Sequence, residues 1–108
     1  MRNGDDSQQS VDTTKNKATV QRQFRITFYA GDGITANGTK PIPLTTCAAG
    51  YGIPMGTKIN VPSIGILTVT DRGNPSVVTD NVLDVFVSGT EAETMDMGVR
   101  YENCIILN

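Results

Sequence analysis

The chain has 108 residues, with eleven acidic and nine basic side chains and a formal charge of -2; this is enough for one domain, and it offers no electrostatic footprint for nucleic acid or an anionic membrane. Tryptophan is absent and aromatic residues make up 6% of the chain, so stacking on bases has little to rest on, and nucleic acid is excluded as a partner. Histidine is absent too, which removes Ser-His-Asp and Cys-His nucleophiles and every zinc site built on imidazole; any chemistry falls to carboxylates, with no metal and no cofactor expected.

From Met1 to Gln23 the chain holds isolated valines among amides, hydroxyls and mixed charges, too little apolar surface to offset the cost of ordering it, so residues 1–23 read as a flexible polar tail and 24–108 as the folded domain. No run approaches the roughly 20 apolar residues that cross a bilayer, and the N-terminus lacks the apolar core of a signal peptide, so no membrane span and no signal peptide are expected. "FRITFYA", Phe24 to Ala30, sets Phe24, Ile26 and Phe28 against Arg25, Thr27 and Tyr29, the alternation of a half-buried strand. "GDGITANGT", Gly31 to Thr39, carries the turn pairs Asp32-Gly33 and Asn37-Gly38 and reads as a loop; it lacks the lysine and spacing of a phosphate loop.

A short strand with prolines at its start is predicted over Pro41 to Ala49, then a turn and strand over Ile53 to Pro62. Two further strands follow, "GILTVTD" from Gly65 to Asp71 and "NVLDVFV" from Asn81 to Val87, separated by the turn "DRGNP". Thr90 suits a helix cap, acidic residues occupy the turn after it, and Gly98 suits the stop. Val99 to Asn108 supplies a last strand. About six strands and one short helix predict an all-β barrel or sandwich, of which the barrel leaves no exposed edge.

Asp84 stands among Val82, Leu83, Val85 and Phe86, where desolvation raises a carboxyl toward the neutral range, as a general acid requires; the plain alternative is an aspartate bonded to a turn at a strand edge. Asp71 ends the preceding strand and, read alone, accepts backbone N–H groups in an Asx turn. Side by side, the two strands bring Asp71 and Asp84 into one groove, and paired carboxylates are what glycosidic bond cleavage uses. Tyr29, Thr39 and Tyr51 suit a sugar site but are as readily packing or turn residues, Asp32 and Asp80 read as turn formers, Met95 and Met97 as fillers of core gaps, and Lys40 and Arg72 as surface charges. Cys47 and Cys104 fit either one long-loop disulfide or two small core residues.

"FYAGDGITANGT", "IPMGTKI", "VTDRG", "LDVFV", then "EA", "MGVR" and "CIIL" occur in that order between Phe24 and Leu107. In this combination the chain resembles the 3D, or three-aspartate, domain of muralytic proteins, related to the catalytic domain of the membrane-bound lytic transglycosylase A family. The resemblance implies a six-stranded double-psi β-barrel that cleaves peptidoglycan between N-acetylmuramic acid and N-acetylglucosamine without water, leaving a 1,6-anhydro sugar. On that likeness Asp84 is the catalytic acid and later base, Asp71 is its catalytic neighbour, and Asp32, Thr39, Tyr29 and Gly73 are candidates to bind the substrate. The third aspartate of the pattern is missing, with Ala49 near its place and Asp32 as a substitute from another loop; Asn74 replaces a second glycine after "DRG". The partners implied are peptidoglycan glycan strands, in the cell wall, periplasm or outside the cell; a monomer is expected unless carried in a larger assembly, and the polar tail without a leader suggests a phage-borne or lysis-associated protein or a mature fragment. The alternative is a glycan-binding or structural module on the same barrel without turnover.

Overall fold

Alternation along each strand decides which side chains face inward. In the computed structural model, which describes residues 20–107, six strands and one helix follow the predicted order: β1 (Val20–Tyr29), β2 (Thr46–Ala49), β3 (Lys58–Val61), β4 (Gly65–Asp71), β5 (Val82–Phe86), α1 (Glu91–Asp96) and β6 (Arg100–Leu107). They close into one barrel in the order β1-β5-β2-β4-β3-β6. The pairs β1–β5 and β2–β4 are parallel and the other four antiparallel.

Inside the ring Phe24, Ile26, Ile59, Val61, Leu67, Val69, Leu83 and Val85 are fully buried. Each such side chain contributes about 1.5–3 kcal/mol relative to exposure. The helix adds little to this: Thr94 is its one buried residue, and it is held by a capping box in which Thr90 and Glu93 each bond the other's backbone N–H, a contribution of about 1 kcal/mol. It stops at Met97, followed by Gly98 at φ +72°, as the sequence predicts.

Three expectations change. β1 starts at Val20, because Val20 to Gln23 find partners in Ile106 to Asn103 on β6; polar residues need no core to pair at a strand end. The predicted tail is thereby shortened, and residues 1–19 lie outside the described span. The strand expected over Pro41 to Ala49 keeps only Thr46–Ala49. Pro41 and Pro43 have no N–H to donate, and the chain turns there instead, with Thr46 N–H bonding the Ile42 carbonyl at 2.9 Å. Met95 and Met97 fill no core gap; both are exposed, since a six-residue helix turns one short face to the barrel. Cys47 and Cys104 are free thiols within the core.

Candidate functional site

On β5 the inward residues are Leu83 and Val85, so Val82, Asp84 and Phe86 face outward. The outward face of β1 carries Arg25, Thr27 and Tyr29, and the parallel register sets Thr27 directly beside Asp84 and Tyr29 beside Phe86. On the other side of β5, Ala48 of β2 pairs with Asp84. Ala48 also pairs with Asp71 of β4. The strands of the two aspartates are therefore not side by side as expected: β2 lies between them, and at the usual strand spacing the two backbones are about 10 Å apart.

A register shift creates this arrangement. Thr46 pairs with Thr68 and Cys47 with Val69, but Ala48 pairs with Asp71, so Thr70 is an extra residue in β4. In an unbroken ladder Thr70 would oppose Ala48, and Asp71 would share the inward face of Ala49, which is 1% exposed. The bulge turns the carboxylate out of the core and onto the face of Asp84.

Asp84 is partly buried and its Oδ1 accepts a hydrogen bond from Thr27 Oγ1 at 2.8 Å; among the described residues no other donor reaches it. Burial pushes its carboxyl up from the ordinary value, the Thr27 bond pulls it down, and the charge of Asp71 pushes it up again, leaving it raised. Asp71 has a different setting. It accepts from Tyr29 Oη at 2.8 Å, the Ala36 N–H at 2.9 Å and its own neighbour's N–H, that of Arg72, at 2.8 Å. Tyr29 is held as a donor, since burial first and then Asp71 drive its hydroxyl far above the usual range. Its ring meets Phe86 edge to face, with centroids 5.4 Å apart. Below the pair, inside the barrel, the buried Cys47 thiol is pushed up to about 12 by burial and the nearby carboxylates, which removes it as a nucleophile.

The remaining predicted site residues lie around this pair in different roles. Tyr29 and Asp71 line a hollow of about 140 Å³ together with Gly31, Gly33, Thr35 and Phe86. Asp32 lines the adjoining hollow of about 290 Å³ with Lys40; among the described residues it makes no hydrogen bond with Asp71 or Asp84. Thr39 closes its own loop, its hydroxyl 2.9 Å from that of Thr35. Gly73 answers a packing need, because a Cβ there would lie 2.5 Å from Val78 Cγ2.

Arg72 is not a free surface charge. Its guanidinium donates to the carbonyls of Ala49 at 3.1 Å, Gly50 at 2.5 Å and Ile53 at 2.6 Å, and sits 5.2 Å from the centre of the Tyr51 ring. It ties the turn after β2 to the residue next to Asp71. Sequence reading missed Thr27 and Ala48 as parts of the site; the outward position of Thr27 in the β1 alternation was visible, but its neighbour on β5 was not. No family model matches the chain, and no curated protein matches it at a significant level.

Proposed function

We propose that the chain is a lytic transglycosylase that cleaves the bond between N-acetylmuramic acid and N-acetylglucosamine in peptidoglycan, on the double-psi winding with which two parallel strand pairs in a six-stranded ring are compatible. One observation carries the reading: two carboxyl groups flank Ala48 on one face, and their environments differ, Asp84 desolvated with a raised carboxyl and Asp71 held by three donors. Environments that separate two carboxylates assign acid and partner. Asp84 in its protonated form gives its proton to the glycosidic oxygen, and positive charge develops at the anomeric carbon, where the carboxylate of Asp71 steadies it. Asp84, now ionised, takes the proton of the sugar's own 6-hydroxyl as that oxygen attacks C1, which closes the anhydro ring and restores the acid.

The test is mass spectrometry of the soluble products released from purified sacculi. Wild type is expected to release 1,6-anhydro-muropeptides and Asp84→Asn, which keeps the shape but carries no acidic proton, to release none while still binding sacculi. Products with an ordinary reducing end would overturn the transglycosylase reading in favour of hydrolysis.

A second reading, a glycan-binding module without turnover, draws on Ala49. It stands near the place of a third aspartate and is 1% exposed within the core, so that position contributes no carboxylate to the outer face. Sacculus binding by wild type with no products released is the outcome that supports it.

A further inference from the structure

A cleft of about 450 Å³ is lined by the turn Gly50, Tyr51, Gly52 and the segment Val78 to Asn81, a few residues along the chain from Ala48 between the carboxylate pair. We infer that this cleft is a saccharide subsite, with Tyr51 as its stacking platform and Asp80 and Asn81 as its polar contacts, and that it holds the N-acetylhexosamine unit next to the bond lying over Asp84 and Asp71. The inference rests on the proposed glycan chemistry for the identity of its ligand and on the geometry for its place.

Tyr51 is 69% exposed, so its aromatic face is open to a ligand. It is nevertheless held in position. The Arg72 guanidinium covers part of the ring, and Arg72 is itself fixed by three carbonyl oxygens of the same turn. A ring held this way forfeits little conformational freedom when a sugar stacks on it.

The polar groups of the cleft are also fixed. The Asp80 carboxylate lies against the turn so closely that a Cβ on Gly50 or on Gly52 would be 2.2 Å from one of its oxygens, and Oδ1 accepts the Gly52 N–H at 2.9 Å. Oδ2 accepts from no donor among the described residues, which leaves it for a hydroxyl or acetamido N–H. The Asn81 side-chain oxygen accepts from Arg22 at 3.3 Å, leaving the amide nitrogen as a donor. An aromatic face with a few placed acceptors and donors suits a neutral, hydroxyl-rich ring.

Position ties the cleft to the chemistry. Val78 lines it and packs on Ala48, the residue that parts the two aspartates. Gly50 follows Ala48 by two residues, about 7 Å along the chain at the usual rise, which is comparable with one pyranose unit. The hollow of Tyr29 and Asp71 includes Phe86 at the end of β5, whereas the cleft includes Asn81 just before its start, so a glycan strand running along β5 past Asp84 has a receiving surface at both ends.

The experiment is a titration of uniformly ¹⁵N-labelled Asp84→Asn protein with chitotetraose, followed by amide shifts. Shifts centred on Gly50, Tyr51, Gly52 and Asp80 are expected, with affinity reduced about tenfold by adding Tyr51→Ala and restored to within about twofold by Tyr51→Phe. Should Tyr51→Ala disturb the spectrum of the free protein, Asn81→Ala serves as the second variant, with a loss of several-fold expected. Shifts confined to residues 31–43, no shifts at all, or full affinity in both the Tyr51→Ala and Asn81→Ala variants overturns the subsite. Release of anhydro products without shifts in this cleft removes the subsite and leaves the chemistry; shifts here with no products from wild type remove the chemistry and leave the subsite.

Discussion

Thr27 and Tyr29 sit two residues apart on the outward face of β1, and each donates to one of the aspartates. Their hydroxyls act in opposite settings. Thr27 stabilises the charged form of Asp84 against desolvation, so Thr27→Val leaves that carboxyl raised further still. A general acid works while protonated, and a higher value keeps the proton on to higher pH. The alkaline limb of anhydro-product release is therefore expected to move upward in Thr27→Val; a limb that stays put or moves down removes Thr27 from the tuning of Asp84. Tyr29→Phe keeps the edge-to-face contact with Phe86 and takes one of three donors from Asp71. A loss of about 1 to 2 kcal/mol in urea unfolding is expected, together with slower product release. Stability lost at an unchanged rate would make Tyr29 a structural donor only. Of these residues, Asp84 and Asp71 were legible in the sequence because a carboxylate inside or at the end of an apolar run is conspicuous, whereas a threonine in an alternating strand is ordinary. Its importance comes from the register with β5.

At the scale of the element, the bulge in β4 is what turns Asp71 outward, and it carries a cost. Thr70, the extra residue, has a buried hydroxyl with no hydrogen-bond partner among the described residues; an unmet polar group of this kind costs about 1–3 kcal/mol. Valine has nearly the same shape without the hydroxyl and favours strands. Thr70→Val is expected to raise stability by about 1 kcal/mol in denaturant unfolding with product release unchanged. A loss of stability there would mean that the hydroxyl has a partner after all. The bulge was not legible, since "GILTVTD" alternates without interruption; an extra residue exists only relative to a partner strand. By contrast, the shortening of β2 has a local cause, in Pro41 and Pro43, that the sequence already held.

For the whole molecule, the closed ring buries one core and leaves the acidic pair on its outer wall. A carboxyl raised by burial above its ordinary 3.8 binds a proton more tightly in the fold than in the unfolded chain. Its contribution is therefore fully present below that ordinary value and is lost as pH rises through the raised one. Asp84→Asn removes this loss. The variant is expected to melt at a higher temperature than wild type near neutral pH, with the gap closing as pH falls toward 4; a gap that is constant or widens in acid contradicts the raised carboxyl. Activity and stability would then oppose each other at one residue, as is common where a charged group is kept in a desolvated site.

The strand order along the chain, the inward and outward faces of β1, the capped helix and its stop at Gly98 were all determined by the sequence alone, because alternation, capping and positive φ are properties of neighbouring residues. Tertiary structure decided that β1 and β5 run side by side, that Ala48 stands between Asp71 and Asp84, and that Arg72 clamps the turn bearing Tyr51. These are contacts between residues distant along the chain. Local pattern can orient a side chain relative to its own strand, but only the closing of the ring selects which other strands it meets.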